Sequence, residues 1–297
     1  MRVIISGASG FIATALTREL TARGDVVVPL VRRPAAAGEI RWDPAKGDLD
    51  VGSLAGADVV VNLAGAGIGD HRWTDAYKRE VRESRLQSTR LLAEGIAACP
   101  APPPVFLSGS AVGAYGASDD RELDETSPLG EGFLADVCRQ WEQATEPAAL
   151  AGARVACLRT GIVLDAHGGA LKKMLPLYRI GLGGRLGKGA QWQSWISLAD
   201  EIGAIIHLMT APVSGPVNLT APNPVTGKEL ARTLGAVLHR PSVTAVPAFG
   251  PRLLLGRELA DALLFTGQRV LPRALQRSGY EFRHATLERA LRAALEP

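Results

Sequence analysis

Cysteine is scarce in this chain, charge of either sign is barely in excess, and no long apolar run occurs; each of these removes a class of protein. Cys99, Cys138 and Cys157 are the only thiols among 297 residues. Their spacing matches neither a C-x-x-C pair nor a metal-ligand cluster, so no zinc site or disulfide framework is expected. Lys and Arg number 33 against 30 Asp and Glu, a formal charge of +3, too small and too dispersed for a nucleic-acid groove. No apolar stretch approaches the ~20 residues that cross a bilayer, and no secretory leader precedes the first expected strand. The expectation is a soluble, cytoplasmic protein without a membrane partner. Repeats and low-complexity tracts are missing too. With 46% hydrophobic and 21% charged residues, the chain can bury a sizeable core as one large domain or two interleaved ones.

What is present begins at the first residues. Val3, Ile4 and Ile5 form a short β-branched run of the kind buried in a parallel sheet. The turn Gly7-Ala-Ser9-Gly10 follows, and a helix is expected from Phe11 and Ile12 onward. Gly7 permits a tight turn, Gly10 lets the backbone approach a pyrophosphate, and the helix start turns free N–H groups and a positive dipole end toward it. Ala13 stands where a third glycine usually falls. After the second expected strand, residues 26–31, comes Arg32-Arg33-Pro34 rather than an acid. A carboxylate there would accept from a ribose 2′-hydroxyl, whereas guanidinium groups suit a 2′-phosphate. The cofactor expected is NADP(H), with Arg32 the better contact of the pair.

Further strands are expected at 39–43, 57–65, 105–108, 155–163 and 217–220. Leu63, Ala64 and Gly65 end one of them, where open α/β sheets bind ligands and small residues let a ribose pass close. Residues 66–73 mix glycines with Asp70, His71, Arg72 and Trp73, as a pocket loop or a polar surface loop. A long charged helix is expected over 75–98, with Thr74 as its cap and with Glu80 and Arg85 able to border the cleft. Ser108, Ser110 and Tyr115 bring hydroxyls and a phenol to the carboxyl edge. Arg159, inside a strand, needs an ion-pair partner or the cleft; Asn218, Gln191, Trp192 and Trp195 are further pocket candidates, although tryptophans are more often core. Residues 181–189 read as a glycine-rich hairpin or lid without a GxxxxGK[ST] match, which excludes a nucleoside triphosphatase. Helices are expected over 171–178, 199–210, 226–238, 251–265 and 287–295, the apolar faces of 253–265 lying in the core. The fold expected is α/β, a doubly wound (Rossmann) parallel sheet with a smaller, mainly helical C-terminal substrate lobe. Residues 1–165 with 199–222 would form the nucleotide domain, and 166–198 with 223–297 the lobe.

Gly7-Ala-Ser-Gly-Phe-Ile, Asn62-Leu-Ala-Gly, Arg72-Trp-Thr, 108–116, Trp141-Glu142, Arg159-Thr-Gly-Ile-Val-Leu, Trp195-Ile-Ser-Leu-Ala-Asp and Gly267-Gln-Arg-Val-Leu-Pro run through almost the whole chain. Together they resemble an extended, atypical short-chain dehydrogenase/reductase, the NADP-binding "epimerase family" branch akin to nucleoside-diphosphate-sugar epimerases, with a small extra C-terminal domain. The resemblance implies that Leu63, Ala64, Glu80, Arg85 and the region of Ile162 border the cofactor.

One departure bears on chemistry. Working members of this superfamily use a tyrosine with a lysine four residues later, whose charge lowers the phenol's pKa. Four residues beyond Tyr77, Tyr115, Tyr178 and Tyr280 stand Val81, Asp119, Leu182 and His284. Aligned on Trp141-Glu142, the family's pair falls near Leu134 and Cys138. Three readings follow. Another group moves the proton (Ser110, Tyr115, His71 or Cys138), the reaction needs little acid assistance, or the protein binds NADP(H) as a regulator without catalysis. An unknown small-molecule substrate, no bound metal, and a monomer or homodimer complete the expectation.

Overall fold

The computed structural model describes residues 1–242 and 244–295. Its largest sheet has eight strands, β1 (Arg2–Ser6), β2 (Val26–Val31), β3 (Ile40–Asp43), β4 (Asp48–Leu49), β5 (Val59–Asn62), β6 (Val105–Ala111), β7 (Arg154–Thr160) and β8 (Gly215–Leu219). They lie in the order β8-β7-β6-β5-β1-β2-β3-β4. Every pairing is parallel except β3 with β4, so the expected doubly wound sheet is present with an antiparallel edge hairpin added. The central strands are β-branched on both faces because helices cover both faces. On one side α1 (Phe11–Ala22) and α5 (Leu198–Thr210) enclose Val3, Ile5, Leu16, Leu20, Val61 and Ile205. On the other, α2 (Asp75–Ala98) covers Ile4, Val60 and Phe106 with Leu92 and Ile96. Strand order reverses between β1 and β5, which opens a crevice at their carboxyl ends.

The helices start as their sequences dictate. Thr74 Oγ1 accepts from Tyr77 N at 3.1 Å and opens α2, while Thr226 and Glu229 form a capping box at α6 (Gly227–Val237). Phe133–Gln143 is α3, Gly169–Arg179 α4 and Leu287–Leu295 α7. The α4, α6 and α7 helices share a third apolar cluster around Trp195, which is core and not pocket wall.

Two expectations are corrected. The helix expected over 251–265 is broken at Gly256, whose φ of +87° belongs to the left-handed region. It becomes Phe249–Leu255, Arg257–Ala260 and a π turn, Asp261–Phe265. Phe249, Leu253 and Leu254 are 73%, 76% and 72% exposed, so the first piece does not bury its apolar face. Residues 181–189 do not form a hairpin; Gly184–Leu186 pairs in parallel with the distant Thr244–Val246.

The first turn of α5 holds two fully buried acids. Asp200 is saturated: it accepts from Ser197 Oγ at 2.7 Å, Tyr280 Oη at 3.2 Å, and the amides of Arg283 at 2.7 Å and His284 at 3.0 Å, tying the C-terminal segment to the sheet region. Glu201 has one bond, from Thr160 Oγ1 at 2.8 Å, and its second oxygen has none. Burial pushes its carboxyl from 4.5 up to about 8. The folded protein therefore keeps a proton that the unfolded chain releases, and this contribution to stability is lost as pH rises between those two values. Glu201→Gln is expected to flatten the fall in urea-unfolding free energy over that pH range and to raise stability at pH 8 by about 1–3 kcal/mol. Parallel pH profiles for variant and wild type would assign the dependence to other groups.

Candidate functional site

Gly7 has φ +68°, and a Cβ there would lie 2.6 Å from Leu63 O, so the turn admits only glycine. Gly10 N donates back to Gly7 O at 2.8 Å, and a Cβ at Gly10 would stand 3.0 Å from that same oxygen. Gly10 is also the N-cap of α1 and makes no side-chain cap, so the first amides of the helix are left unclaimed by a side chain. Ser9 and Gly10 are exposed, Phe11 and Ile12 half-buried, and the Phe11 ring rests against Gly168.

Across the crevice, Ser6 Oγ donates to Asn62 Oδ1 at 2.5 Å and accepts from the amides of Leu63 and Ala64 at 3.2 and 3.3 Å. That hydroxyl fixes the path of the chain as it leaves β5. Gly65 then passes beside Arg85, whose Cγ would lie 3.2 Å from an added Cβ. Arg85 Nη1 donates to Ala66 O and Val81 O, both at 2.9 Å, and its guanidinium lies 5.1 Å from the Trp141 ring centre. Burial lowers its pKa, and the groups opposing that are the Cys138 thiol and the Tyr77 phenol, not a carboxylate. The structure thus brings Gly7, Gly10, Leu63, Ala64, Gly65 and Arg85 to one crevice. Glu80 is exposed on α2, Ser108 is buried in β6, and Ile162 is half-buried beside β7, its amide bonded to Ser194 O at 2.8 Å.

The two arginines after β2 differ. Arg33 is engaged by Glu39 through two bonds of 2.6 Å, which hold that carboxyl down at about 2. Arg32 is exposed and has no ion-pair partner among the described residues. Glu39 sits on the strand side of a six-residue excursion, and nothing in the sequence marked it as Arg33's partner.

Ser110 and Tyr115 are both already bonded. Ser110 Oγ donates to Glu142 Oε1 at 2.7 Å. Arg159 donates to the same carboxylate at 2.7 and 2.8 Å, and to Tyr115 Oη at 3.0 Å, while Tyr115 Oη donates to Asn218 Oδ1 at 2.7 Å. Tyr115 is 3% exposed, and burial raises its pKa, opposite to the shift that an acid–base tyrosine needs. Arg159 is therefore half of a buried ion pair, and Asn218 is occupied with Tyr115 and with Leu271 O at 3.0 Å. Cys138 is buried, its thiol pushed up to about 11 by burial and the nearby Glu142. Leu134 is half-buried against Gly113. His71 is exposed, edge-on to Tyr77. Glu142, whose role has no local signal in the sequence, is the acceptor on which this network converges.

The loop 66–73 reaches the C-terminal region. Arg72 donates to Leu254 O at 3.0 Å and Leu253 O at 2.6 Å, and the Tyr77 hydroxyl donates to Gly67 O. Gln191 donates to Leu264 O at 2.9 Å and Trp192 to Asp120 at 2.8 Å. Among the described residues there is no cluster of three or more metal-ligating side chains, and no helix is long and apolar enough to cross a membrane. Removing one member of the buried network should be costly. Arg159→Met is expected to lose about 3–5 kcal/mol of unfolding free energy by stranding Glu142, and Tyr115→Phe about 1–2 kcal/mol. A denaturation midpoint unmoved in both variants would show the network to be absent in solution.

Known proteins match this arrangement along nearly its whole length. Residues 3–220 match the model of the NAD dependent epimerase/dehydratase family, and 246–294 that of a domain of unknown function, DUF1731. An epimerase family protein of Mycobacterium bovis is 45% identical over 291 residues, covering 97% of this chain and 96% of its own. The human epimerase family protein SDR39U1, crystallised with NADPH, superposes with a TM-score of 0.90 at 37% identity, covering 99% of each chain. A nucleoside-diphosphate sugar epimerase from Corynebacterium glutamicum gives a TM-score of 0.79 at 37% identity over 99% of this chain and 58% of its own. MoeE5 with UDP-glucose and NAD, at 20% identity and a TM-score of 0.76 over 99% of this chain and 97% of its own, shares the fold. By sequence and by architecture, the chain belongs to the NAD dependent epimerase/dehydratase family.

Proposed function

We propose that the protein binds NADP(H) across the β1/β5 crevice and acts as an oxidoreductase or epimerase-like enzyme on a small molecule. The observation that carries this reading is the glycine turn, whose two Cβ-free positions and uncapped helix start fit a pyrophosphate. The NADPH held by the human relative supports it. Gly7, Ser9, Gly10, Phe11 and Ile12 would cradle the diphosphate; Arg32, with Arg33 behind it, would take the 2′-phosphate. Leu63, Ala64, Gly65, Glu80, Arg85, Ser108 and Ile162 would line the path toward the nicotinamide. The bound cofactor supplies a hydride. The chain's own part is then to orient that ring, to exclude water with the loop 66–73, and to hold a substrate beside it. Residues 1–165 with 199–222 would form the nucleotide-binding unit.

Proton transfer is where this family member departs from the pattern. Leu134 and Cys138 cannot serve as a phenol and an ammonium, and Ser110 and Tyr115 are engaged with Glu142, Arg159 and Asn218. Reductions that demand little acid assistance suit such a site. The same observation favours a second reading, a non-catalytic NADP(H)-binding regulator. Stoichiometric NADPH oxidation against a panel of carbonyl compounds and quinones separates the two, with Ser110→Ala and Tyr115→Phe as controls. Tight binding without turnover would favour the regulator.

Cofactor choice has its own test. Arg32→Ala is expected to weaken NADPH about tenfold to a hundredfold with little effect on NADH, because only the 2′-phosphate contact is lost. Arg33→Ala should do less, since Glu39 holds Arg33. Equal loss for both coenzymes would overturn the phosphate assignment. Wild-type protein that binds neither would overturn the function.

A further inference from the structure

On α2, Lys78, Arg82 and Arg85 fall at i, i+4 and i+7, one stripe of like charge that repels itself along the helix. The three cations are not equally satisfied. Lys78 Nζ pairs with Glu258 Oε1 of the C-terminal region at 2.8 Å. Arg85 donates to two main-chain carbonyls. Arg82 has no acceptor among the described residues, and its Nε is buried without a hydrogen-bond partner. Buried donors in native proteins are rarely left so.

The side chain is nevertheless held in place. The Arg82 guanidinium lies 5.8 Å and the Lys78 ammonium 5.3 Å from the centre of the Phe133 ring, and Trp73 meets that ring edge-on at 5.0 Å. A guanidinium over an aromatic face can still offer its two terminal nitrogens to a bidentate oxyanion. Glu258 pairs with Lys78 and Asp136 with Arg139, Asp70 lies 4.0 Å from Lys173, and no ion pair joins Arg82 to Glu80 or Glu83 of its own helix. Loop 66–73, α2, the start of α3 and the segment Arg257–Ala260 therefore converge on a cation that lacks an anion. Phe133 immediately precedes Leu134, near which the family's tyrosine would fall, so the ring that carries this cation is the chain neighbour of that position.

We propose that Arg82 is the oxyanion receptor of the substrate site, and that the substrate is a small molecule carrying a carboxylate or a phosphate. This rests on the NADP(H)-binding reading for which cleft the substrate enters. Arg82 fixes the substrate's charged end, Lys78 and Arg85 add to the local potential, and Trp73 and Phe133 exclude water from the pair.

The test uses the full chain with and without saturating NADPH, titrated with inorganic phosphate, with pyruvate and with uncharged acetone by calorimetry. Phosphate or pyruvate is expected to bind and to weaken with added salt, and the stronger of the two identifies the anion; acetone is expected not to bind. Arg82→Gln should weaken the anion about tenfold or more, with Arg82→Lys, which keeps the charge but loses the fork, intermediate. The exposed Arg79→Gln on the same helix should leave binding unchanged, and NADPH affinity should stay within about twofold in Arg82→Gln. Anion binding that is absent in wild type, survives Arg82→Gln, or falls equally in Arg79→Gln overturns the proposal. NADPH is titrated separately, so loss of the cofactor reading is seen by itself.

Discussion

The hydrogen bond from Ser6 to Asn62 joins β1 to β5 where strand order reverses, and the layout of the crevice depends on it. Both side chains are fully buried, at a place where an unpaired polar group would be expensive. Asn62 passes the connection on: its Nδ2 donates to Thr89 on α2, and Thr89 accepts also from Trp141 on α3, each at 2.8 Å. Two strands and two helices are thus locked in register by three small polar side chains and one indole. Ser6 Oγ also accepts from the amides of Leu63 and Ala64 and so fixes the chain where it passes close against Gly7. A methyl group on Gly7 would collide with Leu63 O, 2.6 Å away.

A second buried network has a different consequence. The Glu142 carboxylate must be matched once it leaves water, and Arg159 matches it with two bonds. Its remaining demand draws in Ser110, and Arg159's spare nitrogen draws in Tyr115. Both hydroxyls are thereby engaged within the protein, Ser110 donating to Glu142 and Tyr115 to Asn218. No tyrosine in the chain has a lysine four residues on, and on α3 Leu134 is half-buried while burial pushes the Cys138 thiol up to about 11. Arg32 and Arg82, by contrast, have no acidic partner among the described residues.

Much of the sheet was legible because buried parallel strands announce themselves as short β-branched runs. The apolar runs at 3–5, 26–31 and 57–65 marked three strands without tertiary information, the last of them ending at Asn62. The glycine turn was equally plain, since only glycine fits a φ of +68° against a facing carbonyl. The interrupted helix 249–265 was not, because a single glycine inside an apolar helical pattern reads the same whether it is tolerated or breaks the helix. Neither was the parallel pairing of Gly184–Leu186 with Thr244–Val246, which links segments some sixty residues apart. The exposure of Phe249, Leu253 and Leu254 follows from that break and has no local signal.

The sequence by itself determined the fold class, the position of the dinucleotide turn, the presence of arginine after β2 and the loss of the tyrosine–lysine pair. All four are properties of residue identity at fixed spacing, and need no knowledge of partners. Tertiary structure alone decided which cations are free. Arg33 and Arg32 are adjacent in the chain, yet Glu39 neutralises one and leaves the other; Arg159 lies in an apolar strand and finds Glu142, while Arg82, beside Glu83 on a charged helix, finds only a ring. Charge pairing is decided over a few ångströms by whatever the fold brings near, and the order of residues along the chain does not encode that distance.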